Sequence, residues 1–403
     1  MISIFLRLTD TVHYIKELSA SYFKDVQAIR RHLHAHPELS FQEKETQAFV
    51  SAELTKLGIP HQNIGGTGLV AHIEGQNPKS RSIALRSDLD ALPITEKNDV
   101  PYKSKHEGVM HACGHDVHTS CLLGAARIFT TLKDRFEGTF RLIFQPGEEK
   151  LPGGASLLIK EGVLEDPVPE AIIGQHVMPE METGKAGFRS GLYMASADEI
   201  YITVKGKGGH GAMPHLIIDP VVIASHLIIA LQQVASRWSK PSIPTVLSFG
   251  KLEAKGATNV IPDEVKIEGT FRTFDEDWRS KAHTKMKELA QSVVTGMGGR
   301  IEFDIRVGYP FLKNDEVLTS RLAKAARTFL GENNIENLDL RATAEDFAFY
   351  SHHVPACFYR LGTGNTEKKI TSSVHNPHFD IDEDALETGM GLMTWLGLEA
   401  IKR

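Results

Sequence analysis

The sequence is poor in cysteine, in net basic charge and in long apolar runs, and each scarcity excludes a class of protein. Its 403 residues include three cysteines, too few for a disulfide framework, which favours a reducing compartment. The formal net charge of -6 argues against a nucleic-acid partner. No run of about 18 apolar residues is present to cross a bilayer, and the first residues lack the apolar core and cleavage site of a signal peptide. We therefore expect a cytoplasmic protein without a nucleic-acid or membrane partner.

Apolar spacing predicts an α/β domain with a largely parallel sheet at the start of the chain. Apolar residues from Tyr22 to Leu33 recur at helical spacing and predict an amphipathic first helix. Ser82–Arg86, Phe140–Phe144 and Ala171–Gly174 are short apolar runs typical of buried parallel strands. The candidate ligands lie in loops at the ends of these strands, where open α/β sheets bind ligands.

The pattern changes at about residue 192 and predicts an inserted second domain. Residues 192–308 read as strand, helix, strand, strand, helix, strand, which is the ferredoxin-like arrangement. Asp219-Pro220 supplies a cap and a first-turn proline for the first of these helices. We assign residues 1–191 and 309–403 to the two parts of a catalytic metal-binding domain, and residues 192–308 to an inserted α+β domain that serves as a lid or in dimerisation.

Cys113 and His115, in the segment His111–Asp116, are the first candidate metal ligands. A lone buried cysteine usually behaves as a small hydrophobe, but here the neighbours are polar and the segment contains a glycine. A thiolate carries a full charge and can bridge two cations, which a neutral thiol cannot. The setting therefore favours a ligand pair over a packing cysteine.

Glu148 and Glu149 are adjacent carboxylates that follow the apolar run Phe140–Phe144. A solvated loop pair is the commonest fate of such residues, but charge beside an apolar strand is costly unless a metal compensates. On an extended backbone the two side chains point in opposite directions, so one can bind a metal while the other faces a bound water. We assign Glu149 to the metal and Glu148 to the water as general base.

Two further histidines complete a set of five candidate ligands. His176 follows an apolar run at the edge where the other candidates gather, which favours a ligand over a hydrogen-bonded core histidine. His375 and His378 flank Pro377, and residue type does not choose between them. Five ligands and a spare carboxylate suit a hydrolase with two divalent ions. Mixed sulfur, nitrogen and oxygen donors suit zinc, with manganese, nickel and cobalt as the other choices.

The predicted second domain contributes three weaker candidates. His210 lies in a glycine-rich segment that lacks the phosphate-loop pattern, so a hairpin or the close approach of a ligand explains the glycines. Asn259 has similar status, and Arg272 is either a surface residue or a bidentate clamp for a carboxylate.

We interpret the alternating histidines near the end of the first helix as structural, namely His32, His34 and His36.

Eight motifs spread over nearly the whole chain are together specific for one family. They are Arg30–Ser40, Leu85–Pro93, Met110–Asp116, Pro146–Glu149, Gly208–His215, Asn259–Asp263, Glu345–Phe347 and His375–Asp380. In these motifs the chain resembles the di-metal aminoacylase and carboxypeptidase clan. Within the clan it is most similar to the subgroup of hippurate hydrolases, N-acetyldiaminopimelate deacetylases and plant auxin-conjugate hydrolases.

The resemblance implies a metal-binding role for each candidate ligand. The ligands would be Cys113 bridging both ions, His115 and His176 on one ion, and Glu149 and His375 on the other. The resemblance thus selects His375 over His378, and it makes Glu148 the base. More distant members of the clan carry a His-x-Asp on the earlier strand, where this chain has Arg86-Ser-Asp88. Asp88 would therefore orient a ligand rather than bind a metal.

The resemblance also implies a substrate and a partner. His210 would donate to the oxyanion from the partner subunit of a homodimer formed through the inserted domain. Asn259, Arg272 and the backbone around Gly362 would hold the substrate's carboxylate. The implied activity is hydrolysis of N-acyl amino acids, carrying acetyl, benzoyl or similar groups, to a carboxylic acid and a free amino acid. A carboxypeptidase or dipeptidase with the same core is the alternative, and an intact Glu148 argues against a scaffold without catalysis.

Overall fold

The computed structural model describes residues 8–402, with side chains described from Asp10 onward. The expectation that the first residues do not form a signal peptide concerns the N-terminal stretch. Residues 1–7 of that stretch lie outside the described part. The described chain divides into two compact units. The first comprises residues 8–191, 313–339 and 349–402, and the second comprises residues 192–312 and 340–348. The lid and dimerisation roles of the second unit stay predictions.

Helices and strands are interspersed along the described residues. The α-helices are α1 (Leu8–Ala35), α2 (Lys44–Lys56), α3 (His115–Leu132), α4 (Gly154–Lys160), α5 (Pro220–Leu231), α6 (Glu276–Gly296), α7 (Glu316–Leu330), α8 (Ala348–Ser351) and α9 (Ala385–Ile401). The strands are β1 (His61–Ile64), β2 (Gly68–Glu74), β3 (Ser82–Asp88), β4 (Thr139–Gln145), β5 (Ala171–Glu182), β6 (Ala186–Phe188), β7 (Gly191–Met194), β8 (Asp198–Lys205), β9 (Gly209–His210), β10 (Thr245–Glu253), β11 (Val260–Ile261), β12 (Glu264–Thr273), β13 (Arg300–Val307), β14 (Leu312–Asn314), β15 (Ile335–Asn337) and β16 (Ala356–Gly364).

The first unit is built on an eight-stranded sheet with the order β1-β2-β4-β3-β5-β16-β6-β15. Its inner strands β4, β3, β5 and β16 run parallel to one another, and β1, β2 and β6 pair antiparallel. Strands β3, β4 and β16 are buried along their whole length. This double-sided burial explains the short apolar runs that mark β3 and β4 in the sequence. The predicted α/β class with a largely parallel sheet is confirmed.

Strand β5 is longer than the sequence predicts. The apolar run ends at Gly174, but β5 continues to Glu182 because it pairs with β16 from Ile172 to Glu182. His176 therefore lies inside a strand, and its predicted position in a loop after the strand is wrong. The partner strand β16 comes far later in the chain, so the local pattern around His176 contains no sign of this extension.

The second unit contains a four-stranded antiparallel sheet with the order β10-β12-β8-β13. Helices α5 and α6 pack against each other and against this sheet. The order of elements along the chain is ferredoxin-like, as predicted, and the order of strands in the sheet fits the same arrangement. Alternate residues of β8 are buried, which is the pattern of a sheet with one covered face.

Helix α5 combines a buried stripe with an exposed apolar face. Its N-cap Asp219 accepts the backbone N–H groups of Val221 and Val222, as its cap position predicts. In the described part of the chain, Pro220–Trp238 is the one helical stretch long and apolar enough to cross a membrane. A core helix passes the same test, and Ile223 and Leu227 are buried in the core of this unit.

Candidate metal centre

The five predicted ligands converge in the first unit. Single ligand atoms of Cys113, His115 and His176 lie within 4.8 Å of one another, and the same holds for Cys113, Glu149 and His375. Cys113 belongs to both groups, as a bridging ligand would. His378 belongs to no such group within residues 8–402. The structure therefore brings together the set in which His375 is the C-terminal ligand.

Gly114 sets the position of His115 at the start of α3. Gly114 is the N-cap of the helix and has a φ of 81°, in the left-handed region that favours glycine. A Cβ atom at this position would lie 2.6 Å from Cγ2 of Val177, the neighbour of His176 in β5. Only glycine satisfies both constraints, so it lets the start of α3 approach the strand that carries His176.

The His115 ring is oriented for metal binding. Its Nδ1 lies 3.2 Å from Oδ1 of Asp90, and a second nitrogen bonded to a carboxylate is typical of metal-ligating histidines. Its Nε2 is buried without a hydrogen-bond partner among the described residues. Carboxylate oxygens of Asp88 and Glu149 lie 3.7 Å and 3.9 Å from this nitrogen. An orphaned nitrogen that faces two carboxylates fits a bound cation.

Cys113 and His176 face each other across the same site. Nδ1 of His176 contacts the carbonyl oxygen of Val177 at 2.8 Å, which directs Nε2 toward Sγ of Cys113 at 3.5 Å. Burial, together with the charge of Glu149, raises the pKa of the Cys113 thiol. The thiolate that ligation requires therefore needs a nearby cation to stabilise it. This donor set also fits divalent metal.

The backbone holds His375 in an uncommon conformation. Its φ is 60°, which is rare for a residue other than glycine, and its N–H donates to the carbonyl of Ala112 at 2.7 Å. Its Nε2 lies 3.1 Å from Oε1 of Glu149. Hydrogen bonds to Cys113 and Glu149 raise the pKa of His375 to about 10. A cation bound between these three groups would take the place of that proton.

Glu148 and Glu149 do not diverge as an extended backbone predicts. Gly147 has a φ of 59°, and the residues after it form a bend. A Cβ at Gly147 would lie 2.3 Å from the ring of Phe41. One carboxylate oxygen of each glutamate lies within 4.8 Å of a His115 nitrogen and of the other glutamate's oxygen. The expected opposite orientation is therefore wrong, because the turn at Gly147 brings both carboxylates to one place.

His118 is a residue of this centre that the sequence interpretation missed. Its Nδ1 lies 2.6 Å from Oδ1 of Asp88, and its Nε2 accepts the N–H of Val177 at 2.9 Å. Arg86 donates to the other oxygen of Asp88 at 2.6 Å. Both nitrogens of His118 are thus used, so it supports the strand beside His176 rather than binding metal. Its spacing of three residues from His115 on one helix was the available signal.

A buried charge network ties α1 to two of the ligand segments. Arg30 donates to Asp116 and to Asp380, at 2.8 Å in each case. Asp116 follows His115 directly, and Asp380 belongs to the motif that begins with His375. Burial opposes ionisation of Asp116, but Arg30 and His34 outweigh it and hold its pKa well below the ordinary value. His34 thus belongs to this charge network through its contact with Asp116, in line with its structural interpretation.

The remaining predicted site residues lie elsewhere. His210 is exposed on β9 in the second unit and pairs there with Val260 on β11. Asn259 accepts the N–H of Gly211 on its backbone carbonyl at 2.8 Å, which brings it beside the His210 segment. Arg272, also in the second unit, donates to the carbonyl of Ala342 at 3.2 Å. Their roles stay predictions.

Gly362 lies in β16 of the first unit. Its N–H donates to the carbonyl of Lys185 at 3.0 Å, and a Cβ would lie 2.1 Å from the carbonyl oxygen of Glu182. Close packing therefore accounts for the glycine. Its own amide is already bonded to the segment between β5 and β6, so a substrate carboxylate would have to use a neighbouring backbone group. The role of the backbone around Gly362 stays a prediction.

Known proteins are similar to this chain in sequence and in fold. The family model described as peptidase family M20/M25/M40 matches residues 84–396. The chain is 40% identical over 366 residues to the N-acetyl-L-cysteine deacetylase of Bacillus subtilis strain 168, spanning 90% of this chain and 85% of that protein. It is 44% identical over 310 residues to the N-acyl-L-amino acid amidohydrolase of Geobacillus stearothermophilus, spanning 76% and 82%. A crystal structure of a dinuclear metal-binding peptidase of the M20 family from Bacillus subtilis superposes with a TM-score of 0.80 and 33% identity, covering 95% of this chain and 99% of that one.

Proposed function

The chain belongs to peptidase family M20/M25/M40, and from this membership we propose that it is a metal-dependent amidohydrolase of N-acyl amino acids. The observation that carries the proposal is the pair of ligand groups that share Cys113. A shared ligand is expected where two ions act on one substrate. Relatives named as a deacetylase and an amidohydrolase of N-acyl amino acids support the substrate class.

We expect two divalent ions per chain, zinc or manganese first, with nickel and cobalt as the other choices. Cys113 would hold both ions. His115 and His176 would complete the ligands of one ion, and Glu149 and His375 those of the other. When bound, such ions supply an acidified water and a polarised substrate carbonyl.

Glu148 would carry the proton in this reaction. Its side chain is buried, and its carboxylate lies in the group that includes His115 and Glu149. As general base it would take a proton from the attacking water. The leaving amine must be protonated to depart, so Glu148 would return the same proton to that nitrogen.

A substrate panel tests the proposal. N-acetyl, N-benzoyl and N-indoleacetyl amino acids would be assayed beside dipeptides and longer peptides, with several added metals and with metal-free protein as control. Release of free acid from an N-acyl amino acid, only in the presence of metal, is the expected result. Cleavage of peptides alone would indicate a carboxypeptidase or dipeptidase. Metal-loaded protein that cleaves neither class would be a scaffold without catalysis.

Arg272→Ala is expected to raise KM for N-acyl amino acids about 10- to 100-fold, because a hydrogen bond to a charged group contributes about 1.5–3 kcal/mol. The guanidinium is permanently charged and can bind a carboxylate bidentately. KM would be measured with an N-acyl amino acid and with the matching N-acyl amine, which has no carboxylate. Arg306→Ala is the matched control, since Arg306 is 61% exposed on another strand of the same sheet. Equal losses on both substrates would remove Arg272 from carboxylate recognition.

A homodimer would cover two exposed features of the second unit. Val222 and Ile229 on α5 are 47% and 70% exposed. Strand β10 lies at an edge of the four-stranded sheet, and an unpaired edge is a ready site for another chain. An apolar helix face and an open edge are both typical of a surface that pairs with a second copy.

His210 would act across this dimer. Glu148→Gln and His210→Ala homodimers are each expected to be nearly inactive. A mixed dimer would contain one site with Glu148 and the partner's His210 both intact, so mixing should restore up to about half the activity of a wild-type dimer. Differently tagged variants would be exchanged, and the mixed dimers isolated and assayed. Mixed dimers that stay inactive would show that His210 does not act in trans.

The cytoplasm is the compartment that this chemistry favours. The three cysteines of the chain are free and buried. Cys113 can bridge two ions only as a thiolate, and an oxidised sulfur would lose that ability. A reducing compartment preserves the proposed ligand.

A further inference from the structure

Asp90 contacts ligand residues of both proposed ions. It lies two residues beyond the end of β3 and is 1% exposed. Its Oδ1 lies 3.2 Å from Nδ1 of His115. Its Oδ2 accepts the backbone N–H of Glu149 at 2.9 Å and the hydroxyl of Ser40 at 2.6 Å. One buried carboxylate therefore joins a ligand of one ion to a ligand of the other.

Asp88, two residues earlier, makes a different set of contacts. Its hydrogen bonds go to His118, Arg86 and, through its carbonyl, the hydroxyl of Thr119. Through His118 its influence extends to Val177, beside His176. The contacts of Asp88 therefore support ligands of one proposed ion, whereas the contacts of Asp90 reach a ligand of each ion.

The neighbours of Asp90 require a hydrogen-bond acceptor at both of its side-chain oxygen positions. The carboxylate has two acceptor oxygens and no donor when ionised. The contact with His115 keeps the hydrogen on Nδ1 and leaves Nε2 for a cation. The contact with Glu149 fixes the backbone that carries the second carboxylate ligand. An asparagine would present an NH₂ group to one of these donors, and a donor facing a donor cannot form a hydrogen bond.

We propose that Asp90 is a positioning residue that couples the two metal subsites, so that its hydrogen bonds to His115 and Glu149 set the affinity of both ions together. The proposal rests on the two-ion site proposed above. Ser40, in the loop between α1 and α2, helps to hold Asp90 in place. Its hydroxyl donates to Oδ2 of Asp90, the oxygen that also accepts the backbone N–H of Glu149.

The test compares stepwise dissociation constants for Co²⁺ in wild-type protein and in three variants, by titration of metal-free protein against a chelator of known affinity. Asp90→Asn is expected to weaken both ions about 10- to 100-fold, the usual cost of losing a partner of a metal ligand. Ser40→Ala should weaken both ions by a smaller factor. Asp88→Asn should act mainly on the ion held by His115 and His176.

A second readout separates positioning from a merely structural role. Bound metal raises the melting temperature by an amount that depends on its dissociation constant. Asp90→Asn should reduce this metal-dependent rise. The matched control is Asp198→Asn, another buried carboxylate, whose partners are Arg279, His283 and the N–H of Gly308. It should lower the melting temperature of metal-free and metal-loaded protein equally.

The outcomes distinguish the two proposals. Wild-type protein that binds at most one ion would overturn the proposed function. The role of Asp90 alone would be overturned if wild-type protein binds two ions but Asp90→Asn leaves both dissociation constants unchanged. A change in only one of the two constants would have the same meaning. If Asp90→Asn does not fold, Ser40→Ala decides, and a change in only one of its constants would count against the coupling.

Discussion

Glu148→Gln is expected to keep both ions and to lower kcat by at least about 10²-fold. Glutamine has a similar shape but cannot accept a proton, and a general base contributes typically 10²–10⁴-fold to a rate. The carboxylate is buried and lies near His115 and Glu149, beside the place where the ions would be held. The measurement is kcat on the best N-acyl amino acid, with metal content determined on the same sample.

Glu149→Gln is the matched control, because it makes the same chemical change at the adjacent residue. Glu149 lies in one ligand group with Cys113 and His375, so this variant should lose metal affinity and regain activity when metal is added in excess. Excess metal should not restore Glu148→Gln. If the two phenotypes were exchanged, the roles assigned to the two glutamates would be reversed.

Cys113→Ala is expected to lose both ions and, with them, essentially all activity. Cys113 belongs to both ligand groups, so its removal takes one donor from each ion at once. Elemental analysis after dialysis in metal-containing buffer would measure the number of ions per chain. As a thiolate held between two ions, Cys113 would also balance part of their positive charge, and alanine would remove that shared anion.

Cys121→Ala provides the control for the loss of a buried cysteine. Cys121 is fully buried in the apolar core and belongs to no ligand group within the described residues. This variant should lose stability through the small cavity that it creates, yet retain two ions. A Cys113→Ala protein that still binds one ion tightly would show that the sulfur is a ligand of a single metal.

The identity of the candidate ligands could be predicted because residue type and local pattern carry that information. Cys113 and His115 lie beside a glycine at a helix start, and Glu148 and Glu149 follow a buried strand. The ferredoxin-like order of the second unit could be predicted for the same reason, since each element has its own periodicity.

Features that depend on distant parts of the chain could not be predicted in this way. Asp90 contacts Ser40, His115 and Glu149, three residues from three different segments. His375, unlike His378, has a left-handed backbone, and its N–H donates to the carbonyl of the distant Ala112. Local pattern indicates which residues are candidates, whereas tertiary contacts decide which of them meet and in what orientation.

The ion pair between Arg30 and Asp380 has a consequence for how the protein is made. The two residues are 350 positions apart in the sequence. On the ribosome, Arg30 emerges long before Asp380 and has no access to it until the residues between them have been synthesised. The second unit takes all but residues 340–348 from one continuous stretch, so most of its sequence is available long before that moment. We therefore expect the second unit to acquire its structure first, and the first unit to close only after Asp380 has been made.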